Sequence, residues 1–209
     1  MSLELIGGRI LAPYFGSGIY VWGSIITIFM VSLSLGYLSG GRLSVKDPTF
    51  AKFGAIFIIG GALLAPITLL ANPVMDFIFL RVEDPRYGSL VASTFLFAIP
   101  TIILGMISPY SVRLLVEKVE QSGSVAGTLY FFSTLGSALG TLLTSFYFVL
   151  WFEVNSIILV LTSSLICLGV FSLYLNASSR SKFLGDNEYA TNPDIDGTGA
   201  SSSLEPITH

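Results

Sequence analysis

The sequence has little charge, one histidine and one cysteine, and each shortage excludes a class of protein. Charged residues make up 11% of the 209 residues, whereas 53% are hydrophobic. Soluble domains carry roughly 25% charged residues, so this chain has too little charge to cover a water-soluble globule. The single histidine is the last residue, His209, which removes catalytic or metal-binding constellations that need a histidine inside the fold. Cys167 stands alone, so no disulfide can form within the chain.

Other functional signals are missing too. The net charge is −3 and no basic run is present, so we predict no nucleic-acid partner. We find no recognisable cofactor loop or metal-ligand spacing, and therefore predict no catalytic residue, no cofactor and no metal. An enzyme that acts alone is the hypothesis that this sequence favours least.

Apolar residues come in long uncharged blocks rather than on a narrow helical stripe. Such blocks cover residues 18–41, 53–75, 87–112 and 121–176, the last interrupted only by Glu153. Because a hydrocarbon core of about 30 Å needs about 20 helical residues, the last block is long enough for two spans. We predict an all-α polytopic transmembrane bundle with five full spans, over residues 19–39, 53–71, 89–107, 127–152 and 156–175.

The two ends of the chain differ from the bundle predicted over residues 18–176. Residues 1–17 form an apolar segment that is too short to span; a truncated first helix, a re-entrant piece and an interfacial segment are all open interpretations. Residues 177–209 are rich in Ser, Gly, Asp, Asn and Thr without apolar periodicity, which predicts a disordered tail.

Lysine and arginine counts predict the orientation in a cell inner or plasma membrane. Seven of these residues fall on one predicted side and three on the other: Arg42, Lys46, Lys52, Arg113, Lys118, Arg180 and Lys182 against Arg9, Arg81 and Arg86. We therefore expect the first side, with the tail, to face the cytoplasm. Residues 111–120 are amphipathic and predict an interfacial helix on that side.

Prolines and glycines mark bends and helix contacts in the predicted spans. Pro66 and Pro100 each remove a backbone hydrogen bond, so we expect kinks there. Two Gly-xxx-Gly patterns, Gly36–Gly40 and Gly136–Gly140, allow close helix approach. Packing within the chain is the interpretation that we favour over a dimer interface for these glycines.

Candidate functional positions are polar or charged residues within or beside the spans. Glu4 and Arg9 are an oppositely charged pair that would be costly at membrane depth, although five residues apart they do not face each other on a straight helix. The remaining candidates are Tyr37, Arg42, Tyr110, Arg113, Tyr130 and Thr134.

Several stretches together resemble one known family. Residues 4–17 (ELIGGRILAPYFGS), 35–43 (LGYLSGGRL), 100–113 and 127–141 (GTLYFFSTLGSALGT) resemble the membrane region of fused major-facilitator/spermidine-synthase-like proteins. The resemblance covers about residues 4–175 and implies a half-facilitator-like bundle. Members commonly continue into a cytoplasmic aminopropyltransferase-like domain. Here the tail stands in that place, so no transferase residue is carried over.

The resemblance makes a non-catalytic membrane module our leading functional hypothesis. Such a module would act as a membrane partner or anchor, with a soluble synthase-like chain as one candidate partner. Two alternatives stay open: a small half-facilitator-like transporter that works as a homodimer, and a structural subunit of a larger membrane complex. Polar side chains such as Tyr130 and Thr134 would line the path of a transporter.

Overall fold

The computed structural model describes residues 1–82, 84–116 and 122–191, with side chains described as far as residue 177. Within these ranges the regular structure is entirely helical, without a strand. The helices are α1 (Ser2–Phe15), α2 (Ile19–Ser44), α3 (Phe50–Leu64), α4 (Ile67–Phe79), α5 (Pro85–Gly105), α6 (Ile107–Leu115), α7 (Ser122–Leu143), α8 (Val149–Trp151) and α9 (Val154–Thr191). A π-helical turn, Thr144–Phe148, joins α7 to α8.

Four helical stretches in the described part of the chain are long and apolar enough to cross a membrane. They are Ile19–Ser44, Pro85–Leu115, Ser122–Trp151 and Val154–Ala177. The pair formed by α3 and α4 would make a fifth span, but it is bent by 48° between the two helices. The all-helical class that the sequence predicts is therefore confirmed, with four or five helices of transmembrane length.

The bend between α3 and α4 falls where the sequence predicts a kink. Pro66 has no backbone N–H, so it cannot bond to the carbonyl of Ala62, and its ring also crowds that turn. The helix restarts at once, because the N–H groups of Leu69 and Leu70 donate to the carbonyl oxygen of Pro66. The second half then runs on to Phe79, past the predicted end at residue 71.

The helix that contains the second proline is interrupted after Gly105 and not at Pro100. Helix α5 continues through Pro100 and ends at Gly105, and α6 begins after Met106. Pro109 explains this position, because a proline leaves the carbonyl four residues earlier, here that of Gly105, without its helical donor. Helix α6 covers the first half of the amphipathic segment predicted over residues 111–120, while residues 117–121 lie outside the described part of the chain.

The last helix is longer than the sequence predicts. Helix α9 runs from Val154 to Thr191 and so passes the composition change at Asn176. Residues 192–209 lie outside the described residues, so the disordered tail stays a prediction for that part of the chain. Helix α1 has 14 residues and adjoins the bundle as the short N-terminal apolar segment.

Two pairs of helices approach closely enough for their backbones to touch. In the first pair, α2 against α5, a Cβ added to Gly40 would lie 2.6 Å from the Cα of Met106, and the Cα of Gly36 faces that of Gly105. In the second, α3 against α9, a Cβ on Gly54 would lie 2.7 Å from the carbonyl oxygen of Gly169. These contacts leave no room for any side chain larger than hydrogen.

Contacts between helix ends show which termini lie together. At the first end, Tyr110 of α6 bonds to Thr49 before α3, and the hydroxyl of Ser172 in α9 donates to the carbonyl of Phe50. We call this the Arg42 end, after the residue near the end of α2. At the opposite end Arg86 of α5 contacts Tyr20 of α2, and we call it the Arg86 end.

We predict that Gly36→Ala destabilises the protein, because its new Cβ would collide with the carbonyl oxygen of Ile102. Overpacking of this kind costs about 1–3 kcal/mol. Thermal or denaturant unfolding of the purified protein in detergent would measure the loss. Gly23→Ala in the same helix is the matched control, since a Cβ there meets nothing within 4 Å. Equal stability of the two variants would contradict the close α2–α5 contact.

Candidate functional site

The sequence-predicted candidate residues do not converge on one pocket. Glu4 and Arg9 lie on α1, Tyr37 and Arg42 on α2, Tyr110 and Arg113 on α6, and Tyr130 and Thr134 on α7. Glu4 is half-buried and Arg9 is exposed, and no ion pair joins them. Among the described residues, no group of three or more His, Cys, Asp or Glu side chains is placed to hold a metal ion.

Arg9 ties α1 to α8, in the last turn of the Ser122–Trp151 span, instead of pairing with Glu4. Its guanidinium donates a 3.3 Å hydrogen bond to the carbonyl oxygen of Val149. The last carbonyls of a helix lack intrahelical donors, so a cation there satisfies one of them and interacts favourably with the helix dipole. Arg9 also lines a cleft of about 390 Å³ with Trp151 and Glu153, near the Arg86 end.

The π-helical turn beside this contact was not predicted. The hydroxyl of Thr144 donates to that of Ser2 at 2.9 Å, and the hydroxyl of Ser2 donates to the carbonyl of Gly140 at 3.2 Å. These two bonds join the start of α1 to the point where α7 passes into the π turn. No sequence pattern marks them, because Ser2 and Thr144 are 142 residues apart.

Tyr110 has a structural role that its sequence position does not reveal. Its side chain is fully buried, and its ring stacks on that of Phe53 with centroids 5.9 Å apart. Its hydroxyl accepts a 3.0 Å hydrogen bond from the N–H of Thr49 and lies 3.3 Å from the carbonyl oxygen of the same residue, to which it donates. The side chain therefore holds the loop between α2 and α3 against α6.

Tyr130 and Thr134 lie on an unusually exposed helix. In the most apolar 18 residues of the span that contains α7, 6% of the residues are buried. The corresponding share in the other three long spans is 28% to 39%. No residue of α7 itself is buried, and 57% of Tyr130 is exposed. A Cβ added to Gly136 would meet nothing within 4 Å, whereas Gly140 faces only the hydroxyl of Ser2. Helix α7 thus presents an open glycine surface, which we call the α7 face: Ser133, Gly136, Ser137 and the exposed aromatic residues around them.

Three buried hydroxyl groups are features that the sequence does not predict. Ser93 and Thr101 of α5 and Thr162 of α9 have no hydrogen-bond partner among the described residues. Buried hydroxyls are normally paired, and leaving one unpaired costs about 1–3 kcal/mol. The only available signal was a small polar residue inside an apolar span, which is too common to single out these three.

Comparison with known proteins identifies no relative. No protein-family model, no curated protein and no solved structure matches the chain. The family resemblance carried by residues 4–175 therefore stays a hypothesis.

We predict that Tyr110→Phe loosens the α2–α3 loop, because the N–H of Thr49 would lose its acceptor. Loss of a buried hydrogen bond costs about 1–3 kcal/mol. Limited proteolysis within residues 45–49 and a lower unfolding temperature would measure the effect. Tyr37→Phe is the control, since Tyr37 is exposed and its hydroxyl has no partner in the described ranges. Unchanged protection of the loop would show that the hydroxyl does not hold it.

Proposed function

We propose that this chain is an integral membrane module that works as a non-catalytic partner within a larger assembly. The observation that carries the proposal is the α7 face. A span as exposed as α7 leaves most of its surface to lipid or to another helix. The open Gly136 favours a helix, because small residues allow the close backbone approach that drives association in lipid.

The other glycine pattern of the chain supports this interpretation. Gly36 and Gly40 have the same Gly-xxx-Gly spacing as Gly136 and Gly140. The space beside Gly36 and Gly40 is filled by the α5 backbone and Met106. On α7, Gly140 meets the hydroxyl of Ser2 in α1, but Gly136 has no such occupant among the described residues. A membrane helix of a partner would occupy the α7 face as α5 occupies α2.

The family that we assign is the spermidine-synthase-like one, on the sequence resemblance. The helical segments α1, α2, α3 with α4, α5 with α6, α7 with α8, and α9 follow one another in the six-segment order of a half-facilitator, with a short first segment. In this proposal five segments span the membrane, the Arg42 end faces the cytoplasm, and a soluble synthase-like chain would meet the module there. The bilayer is its immediate partner.

We predict that a cysteine placed on the α7 face forms a crosslink to the partner. Ser133→Cys would be introduced with Cys167→Ser, which removes the only native cysteine, and membranes from the native host would be treated with a short thiol crosslinker. Mass spectrometry then identifies the bound protein. Thr27→Cys, an exposed position on α2, is the matched control. A crosslink to a synthase-like or other membrane subunit supports the proposal; equal labelling without crosslinking at Ser133 and Thr27 contradicts it.

A dimeric half-facilitator is the second candidate, favoured by the position of Tyr130 and Thr134. Both side chains are exposed on α7, so only a second copy, or another protein, could enclose them in a polar path. In the crosslinking experiment this candidate gives a homodimer at Ser133→Cys instead of a heteromer.

We predict for this second candidate that Tyr130→Phe and Thr134→Val lower transport, because each removes one hydroxyl from the path. Uptake of labelled spermidine into proteoliposomes, the polyamine to which the resemblance points, would measure the rate. Thr27→Val serves as the control for a hydroxyl lost outside the path. Unchanged uptake in both α7 variants, with folding intact, would contradict transport along this surface.

A further inference from the structure

A cavity of about 680 Å³ opens at the Arg42 end, between α2 and the junction of α5 with α6. Its lining has two parts. The side chains of Leu35, Leu38, Ile102 and Met106 form an apolar wall, and Arg42 and Lys46 stand at the end of α2 beyond it. The cavity is thus apolar toward the middle of the helices and cationic toward their end.

The two cations have no ion-pair partner in the part of the chain that the structure describes. Arg42 and Lys46 are exposed, and their side chains make no hydrogen bond, ion pair or ring contact with the described residues. No carboxylate among the described residues lines the cavity. Lys46 lies two residues beyond the end of α2 and lines the same cavity as Arg42, so two like charges repel each other there. An anion bound between them would remove this repulsion.

The next lysine along the chain does not fill this role. The ammonium of Lys52 donates to the carbonyl oxygens of Lys46 and Asp47, at 2.7 and 3.0 Å. It therefore braces the loop after α2 rather than lining the cavity. Arg42 and Lys46 are left to face outward.

We propose that this cavity binds an anionic phospholipid. Its phosphate would lie between Arg42 and Lys46, and the upper part of an acyl chain would pack against Leu38 and Ile102. The two cations favour an anionic headgroup by charge complementarity. The apolar wall favours a lipid over free phosphate, because free phosphate would contact only the cations. Basic pockets between membrane helices are a known setting for such headgroups. The site lies on α2 and α5, so it is independent of the α7 face.

Native mass spectrometry of the purified full chain in mild detergent tests the proposal. The delipidated protein would be titrated with phosphatidylglycerol, phosphatidylcholine or inorganic phosphate. We expect one phosphatidylglycerol to bind in clear preference to phosphatidylcholine, and phosphate alone not to bind. Arg42→Gln and Lys46→Gln should each weaken phosphatidylglycerol about fivefold, and the double variant about thirtyfold, from the usual contribution of one basic residue at an anionic surface.

Arg113→Gln is the matched control, because Arg113 is an exposed cation near the end of α6 and does not line the cavity. The charge-keeping variant Arg42→Lys with Lys46→Arg should retain the preference, and each single variant provides a test if the double variant does not fold. Equal losses for Arg113→Gln and Arg42→Gln, or an unchanged preference in both single variants, would overturn the site. Binding of inorganic phosphate with the same affinity as phosphatidylglycerol would overturn the lipid assignment.

Discussion

Close backbone contact at glycines is the constraint on which the rest of this bundle depends. Helices surrounded by hydrocarbon gain no hydrophobic free energy by meeting each other, so packing must come from contact area and short distances. Gly36, Gly40 and Gly105 provide these between α2 and α5, while Gly54 and Gly169 provide them between α3 and α9. The remaining elements, α1 and α4 among them, pack around these two pairs with ordinary side chains such as Ile6, Leu11 and Met75.

Helix α7 lies outside this scheme, and its composition shows that small size alone does not pack a helix. It has the same glycine spacing as α2, yet Gly136 has open space beside it. Its contacts with α1 include polar bonds from Ser2 to Gly140 and Thr144, and Arg9 bonds to Val149 just beyond it. A span without a buried residue of its own in α7, and with open space beside Gly136, is available to another helix in a way that α2 and α5 are not.

The sequence predicts those features that depend on composition and local chemistry. The positions of the long helices follow from uncharged length, and the bend at Pro66 follows from a missing N–H. The interruption of the helix at Met106 has the same kind of cause, because Pro109 lacks a backbone N–H just as Pro100 does. The sequence alone does not tell which of these two prolines interrupts the helix, since that depends on whether the carbonyl four residues earlier finds another hydrogen-bond donor. The extension of α9 to Thr191 goes against its polar composition, and nothing in the structure explains it.

Contacts between distant segments could not be predicted, and the candidate site depends on them. The sequence singles out Arg9 and Glu4 as opposite charges that do not face each other on a straight helix, and it gives no sign that Arg9 bonds to a carbonyl 140 residues away. Tyr110 is a candidate functional position by sequence, but its side chain is buried against Phe53 and bonded to Thr49. The two Gly-xxx-Gly patterns are alike as sequences, and only the neighbour of each determines whether it packs within the chain.

The cations at the two ends of the bundle also differ in their neighbours. At the Arg86 end, Arg9 bonds to a carbonyl, Arg86 lies 4.1 Å from the centroid of the Tyr20 ring, and Arg81 lies 5.1 Å from that of Phe77. Each of these arginines thus has a favourable contact within the chain. At the Arg42 end, Arg42, Lys46 and Arg113 have no such partner in the described ranges. An anionic bilayer surface can meet all three charges, but of these three only Arg42 and Lys46 adjoin an apolar wall that can also hold an acyl chain. This separates a lipid site from a surface that is only basic.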